Sequence, residues 1–249
     1  KETAAPTSAP TTIAEAEPPN DDDLAAILAQ FDGSGAPPLP AAAYLDPAIG
    51  NGASEWLRAY TTFSRLWSPR AFDDFHVACG LWLLSTVAAR RVVAHLGGAR
   101  YSNLYIALVA RTSLWAKSTT AKIVTQTLSN AGLSFLLAPD DSTPQRFISD
   151  LVLRVPPNWT EMDGKSREFA QAQMAFVASR GWFYEELGQK IDAMLSPGGF
   201  MGEFRGILRA FDDCPDSYRY ASIGRGMDAV TRPYVAMLGN MTPADLQRA

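Results

Sequence analysis

Three short, almost wholly apolar runs constrain this chain more than any other feature of it: residues 104–109 (LYIALV), 181–184 (GWFY) and 234–238 (YVAML). Each has the length of a strand and lacks polar alternation, the pattern of strands covered on both faces. Helical spacing fills the stretches between them: 117–128, 143–154 with Pro144 at the first helical position, 169–179, 187–195 and 201–211. Strands alternating with helices predict an α/β fold, a mostly parallel sheet in three layers. Residues 133–138 are a further strand candidate, ended by Pro139, and 218–223 alternate as an exposed strand does. No internal repeat is visible.

Two helices are expected ahead of the first strand. Trp56, Leu57, Tyr60, Phe63, Leu66 and Trp67 recur at spacings of three and four, and Ser68-Pro69 ends the pattern. Residues 72–96 read as a second, long helix stopped by Gly97-Gly98. Together these predict an N-terminal helical subdomain over 41–100, ahead of a core over 101–249. The aromatics Trp56, Trp67 and Trp82 are expected in the core. Residues 1–40 carry seven prolines and seven acids against one lysine, and read as an acidic linker without enough apolar surface to fold. Within it, 23–31 (DLAAILAQF) reads either as a docking helix or as an isolated helical turn.

The formal net charge of -4 therefore belongs to the linker, and the remainder of the chain is close to neutral. Two cysteines, Cys79 and Cys214, and two histidines exclude a disulfide framework and argue against a zinc site of Cys/His type, which points to a reducing, cytoplasmic setting. The first residues carry neither a basic nor an apolar run, so no secretory signal is expected, and the most apolar stretch, 77–89, is shorter than the ~20 residues that span a bilayer, so no membrane partner is expected. A linker in front and an end only nine residues after Asn240 suggest a piece of a longer protein, its core truncated at the C-terminus.

The chemistry lies where the apolar runs end. After 104–109 comes Arg111-Thr112-Ser113-Leu114-Trp115-Ala116-Lys117-Ser118-Thr119. A phosphate loop has the pattern G-x-x-x-x-G-K-[ST] between a strand and a helix: backbone N–H groups and a helix N-terminus converge on phosphate, and the lysine reaches its outer oxygens. Here the Lys-Ser pair is in register, whereas Arg111 and Ala116 stand at the two glycine positions. The plainer alternative is an ordinary helix start. The run 181–184 ends in Glu185-Glu186, which suits a Mg²⁺-side acid and a base for the attacking water, or simply two first-turn acids of the next helix. The run 234–238 ends in Gly239-Asn240, a polar amide able to contact a γ-phosphate, or an ordinary strand-end turn.

Taken together, the order strand–Lys/Ser, strand–Glu/Glu, strand–Asn resembles the helicase-like phosphate-loop (P-loop) NTPases of the RecA/AAA+ type. It resembles more closely the primase–helicase-associated family of phage, plasmid and bacterial origin, often described as a domain of unknown function. The matching text is YSNLYIALVARTSLWAKSTTAKIV, SRGWFYEELGQKIDAML with GGFMGEFRGILRAFDDCPDSYRY, and PYVAMLGNMTPADL, within roughly residues 70–249. The resemblance implies ATP with Mg²⁺ as cofactor, Lys117 on the β/γ-phosphates, Ser118 on Mg²⁺, and Thr119 beside the nucleotide. It implies Glu185 as the metal-side acid, Glu186 as catalytic base and Asn240 as sensor. Arg111, Thr112, Ser113 and Ala116 would form the loop itself, and Arg111 can meet phosphate with its guanidinium.

An arginine supplied in trans commonly completes such sites, in a ring of identical subunits. Arg205, Arg209, Arg219, Arg225 and Arg232 are the candidates, with Arg225 in Gly224-Arg225-Gly226 preferred; all equally suit a solvated surface. The resemblance implies single- or double-stranded DNA as a partner, and these residues, with the pair Arg90 and Arg91, are candidates for its phosphates. His76, with Asp73 and Cys79 on one helix face, and His95 near the helix end read as structural. Two functions follow: an NTP-hydrolysing, helicase-like module of DNA replication in mobile elements, or a non-hydrolysing nucleotide-binding or assembly module on the same fold.

Overall fold

The computed structural model describes residues 47–95, 98–111, 116–199, 201–222 and 226–248. The linker, its 23–31 segment, the Gly97 stop, Thr112, Ser113 and Arg225 lie outside the described residues. In chain order the elements are α1 (Pro47–Trp67), α2 (Asp73–Ala88), β1 (Ala94–His95), β2 (Ala99–Arg100), β3 (Tyr105–Val109), α3 (Lys117–Asn130), a 3-10 turn (Ser134–Leu136), α4 (Pro144–Leu151) and α5 (Gly164–Ala175). They continue with β4 (Ser179–Tyr184), α6 (Leu187–Leu195), α7 (Gly202–Asp212), β5 (Ser217–Ser222), β6 (Gly226–Thr231), β7 (Tyr234–Met241) and α8 (Pro243–Arg248). Among the described residues, no helix is long and apolar enough to cross a membrane.

The three apolar runs form one parallel sheet in the order β3-β7-β4, with Tyr105 opposite Met237 on one side of β7 and Ser179 opposite Tyr234 on the other. All eight residues of β7 are buried. Its residues alternate between two cores. Tyr234, Ala236 and Leu238 join Trp82 and Leu83 of α2 and Ala121, Val124 and Leu128 of α3. Val235, Met237 and Met241 join Leu187 and Met194 of α6 and Phe204, Ile207 and Phe211 of α7. The expected mixed α/β, three-layer arrangement is therefore present.

Two glycines set how closely the helices approach. A Cβ on Gly181 would lie 2.6 Å from the Thr86 side chain and 2.9 Å from Trp82, so α2 seats directly on β4. On the opposite face, a Cβ on Gly239 would lie 2.6 Å from that of Leu187. Ser85 then pins α2 to the start of the sheet: its hydroxyl bonds Tyr234 Oη at 2.8 Å and the Ser102 carbonyl, while Tyr234 Oη donates to the Ser85 carbonyl at 2.9 Å. The second helix of the expected N-terminal subdomain is thus a layer of the core.

Several expectations are corrected. The second helix stops at Ala88, with Ala89 at φ 46°, instead of running to residue 96. Arg90 is drawn aside to the Pro215 carbonyl at 2.6 Å, and the β-branched Val92 and Val93 favour the extended chain that leads into the β1–β2 ribbon. His95 accordingly lies in a strand, not at a helix end. Residues 133–138 form the 3-10 turn and one parallel bridge, Leu137 to Gly181, because the turn at Gly132 and the following Pro139 leave little chain to pair. The exposed strand at 218–223 has a partner that the sequence reading missed, β6, in an antiparallel hairpin. Trp82 is fully buried as expected, but Trp56 and Trp67 are 41% and 69% exposed, since helical spacing marks a face without saying what covers it.

His76 is fully buried, with Nδ1 2.7 Å from Ser64 Oγ and Nε2 unpartnered. Burial, and secondarily the positive Arg65, push its pKa below the ordinary value. A folded-state pKa below the unfolded one contributes stability that is present above about pH 6.5, the unfolded value, and is lost progressively as pH falls below it through the folded-state pKa. Urea midpoints should therefore drop between pH 7.5 and 5.5, and His76→Gln should flatten that dependence. Gly181→Ala and Gly239→Ala should each destabilise by about 1–3 kcal/mol through overpacking, measured by the same unfolding transitions.

Candidate functional site

Parallel pairing brings the C-terminal ends of β3, β7 and β4 to one edge. The helices that follow the outer strands leave on opposite faces, α3 toward the α2 core and α6 toward the α7 core. A crevice above strand ends whose connections diverge in this way is the usual ligand position of an open α/β sheet.

Lys117 opens α3 at this crevice. Its ammonium donates to the Ala110 carbonyl at 2.8 Å and the Met241 carbonyl at 2.5 Å, which ties the ends of β3 and β7 together. Burial lowers its pKa, and Asp245 acts in the opposite direction. The preceding Ala116 adopts φ 44°, ψ 28°, the left-handed conformation that favours glycine. Its carbonyl accepts from Thr120 N at 3.0 Å and from Thr120 Oγ1 at 3.1 Å, and Thr120 Oγ1 also bonds Ser68 Oγ at 3.1 Å, which anchors the first turn of α3 to the end of α1. Ser118 is half-buried, and Thr119 and Arg111 are exposed.

Asn240 is not in a turn. It lies inside β7, opposite Leu108, 2% exposed, with neither Oδ1 nor Nδ2 hydrogen-bonded. Alternation puts it on the α3 side of the sheet, with Leu238. The register Tyr184 to Gly239 brings Glu185 level with Asn240, on the side to which Gly181 and Phe183 also face. Glu185 is exposed and its carboxylate lies 3.5 Å from Lys122 of α3. Glu186, also exposed, occupies the residue before α6, where its carbonyl accepts from Lys190 N at 3.4 Å. Between α3 and the end of β4 runs a groove of about 690 Å³ lined by Lys122, Thr125, Ser129, Asp140, Glu185 and Glu186 among others.

The sheet thus gathers Lys117 and Asn240, and brings Glu185 to the same edge and face; Glu186, at the N-terminus of α6, lines the groove beside it. Sequence reasoning missed Lys122, whose role depends on where α3 meets β4. It also missed Asp245, which accepts from Thr242 N at 3.0 Å and Thr242 Oγ1 at 2.7 Å, while its own N–H donates to Thr242 Oγ1 at 3.2 Å. Thr242-Pro-Ala-Asp245 is a capping-box pattern that was legible in the text. Among the described residues, no group of three or more His, Cys, Asp or Glu side chains is placed to hold a metal ion. Comparison with protein-family models, with curated proteins and with solved structures finds no match.

A non-glycine residue in the left-handed region costs about 1–2 kcal/mol, more when β-branched. Ala116→Gly should therefore be tolerated, whereas Ala116→Val should lower stability by about 2 kcal/mol in urea unfolding.

Proposed function

We propose that this chain is a P-loop-type NTPase module that binds ATP with Mg²⁺ at the C-terminal edge of its parallel sheet. The observation that carries the reading is the Lys117 ammonium, half-buried at the start of α3 and met by two neutral carbonyls. An ammonium partly removed from water, whose hydrogen bonds go to neutral carbonyls and on which the Asp245 charge acts, gains from an anion that displaces the carbonyls. Asn240 supplies an independent fit: a buried amide with free donor and acceptor, on the α3 side beside that strand end, suits a polyoxyanion.

In this reading Lys117 leaves the Ala110 and Met241 carbonyls for the outer phosphates, and the Asn240 amide donates to the terminal phosphate or orients the attacking water. Ser118 and Glu185 would hold Mg²⁺, whose chemistry is to neutralise charge developing on the phosphate oxygens. Glu186 is the base for water, Thr119 flanks the nucleotide, and Arg111 answers phosphate charge at the mouth of the loop. On the resemblance drawn from the sequence, the module is helicase-like and serves DNA replication in mobile elements.

A second reading, nucleotide binding without hydrolysis, is favoured by one observation: the Glu185 carboxylate is engaged by Lys122. The wild type should bind a non-hydrolysable ATP analogue with Mg²⁺, and Lys117→Ala should weaken that binding by about tenfold or more in calorimetry, the scale of one charge-assisted contact. Unchanged affinity would remove the nucleotide assignment. Phosphate release above that of Glu186→Gln identifies a hydrolase; equal background rates identify the binding module.

A further inference from the structure

The first turn of α3 is fixed from two directions. Ala116, in its left-handed conformation, presents its carbonyl to Thr120, whose N–H donates at 3.0 Å and whose hydroxyl donates at 3.1 Å. Thr120 Oγ1 also lies 3.1 Å from Ser68 Oγ, one residue beyond the end of α1 and 52 positions away in the chain. Both side chains are out of solvent, Thr120 wholly and Ser68 with 3% exposed. A hydroxyl carries one proton and a carbonyl can only accept, so Thr120 gives its proton to Ala116 and takes that of Ser68. The result is a relay from Ser68 through Thr120 to Ala116, in which each bond polarises the next.

Serine and threonine commonly bond a carbonyl four residues earlier in a helix. α3 has two further cases, Thr127 to the Ile123 carbonyl at 2.7 Å and Ser129 to the Thr125 carbonyl at 3.1 Å. Thr120 differs from them in its buried second partner and in its position, because its acceptor is the last carbonyl before α3. In a planar trans peptide the C=O and the N–H point opposite ways, so a hold on the Ala116 carbonyl also fixes the direction of the Lys117 N–H. With the oxygen drawn toward the helix body, that N–H stays aimed outward into the crevice, beside those of Ser118 and Thr119, which also lack an intrahelical acceptor. A flipped peptide would put an oxygen there, and an oxygen repels an anion.

We propose that Thr120 and Ser68 are positioning residues of the nucleotide site: they hold the Ala116–Lys117 peptide in the orientation that accepts an anion, and so place the site under the control of α1. The inference rests on the nucleotide reading of this edge and adds its regulation. The other polar ties of α1 run to α2, from Ser64 to His76 at 2.7 Å and from Arg65 to Asp73 at 2.8 Å, whereas Ser68 reaches α3. Displacing α1 removes the Ser68 hydroxyl, and the Thr120 side chain is then free to rotate off Ala116. Such coupling is reciprocal, so an anion bound at the start of α3 also tightens α1.

The test is calorimetry of the whole chain with a non-hydrolysable ATP analogue and Mg²⁺. Thr120→Val keeps the shape and removes the hydroxyl, and should weaken binding by about tenfold; Ser68→Ala should weaken it in the same direction, by about threefold or more. Thr120→Ser, which keeps the hydroxyl, should bind within about twofold of the wild type. Thr127→Val removes the same kind of bond from the same helix, away from the crevice, and should bind as the wild type does. Hydrogen exchange at residues 57–68 of the wild type should slow when the analogue is added, a readout that needs no variant. Wild-type affinity in Thr120→Val, an equal loss in Thr120→Ser or in Thr127→Val, or unchanged exchange at 57–68 in the bound protein would each overturn the positioning role and leave the nucleotide reading standing. No binding by the wild type would overturn both.

Discussion

Strand β7 has no solvent face, and the rest of the structure is arranged around satisfying it. Its backbone N–H and C=O groups cannot turn to water, and a buried one left unpaired costs about 1–3 kcal/mol. β3 and β4 must therefore pair along both of its edges, and helices must cover both of its faces. The close seating of α2 on Gly181 and of α6 on Gly239 is the packing answer to that demand. The electrostatic answer comes at the C-terminal edge, where the Ala110 and Met241 carbonyls are capped by one lysine.

That lysine links stability to chemistry. While it caps the sheet, its ammonium is met by neutral oxygens and burial disfavours the charged form, so its pKa falls although Asp245 opposes the shift. In the proposed reading an anion at the start of α3 takes the place of those oxygens. The edge next to it is acidic, with Asp140, Glu185 and Glu186 lining one groove, whereas the opposite pole gathers arginines. A sheet with oppositely charged ends presents two chemically distinct surfaces although the net charge is small.

The candidate site was partly legible because its residues follow apolar runs, and the end of a buried parallel strand is where a side chain first meets solvent. Glu185 and Asn240 could be picked out on that ground, and Lys117 by its register with Ser118 at the start of the following helix. The depth of Asn240 could not: a turn and the last turn-ward residues of a strand have the same text, and only pairing with Leu108 makes the amide a buried, unpartnered one. Nor could the Lys122–Glu185 contact, which joins α3 to β4 across chain that is distant in sequence.

Local pattern determined a good deal of this protein. Apolar runs without alternation specify strands covered on both faces, and helical spacing between them specifies a parallel sheet, because period and burial are properties of neighbouring residues. What only the tertiary structure decided are relations between distant segments: that β7 lies between β3 and β4, that α2 is a layer of the core and ends at Ala88, and that residues 133–138 contribute one bridge instead of a strand. The aromatic face of α1 shows the boundary between the two. Its spacing is written in the chain, but whether Trp56 and Trp67 are buried depends on what lies opposite, and they remain exposed. Burial is a sum over contacts from the whole fold, and no short stretch of sequence contains that sum.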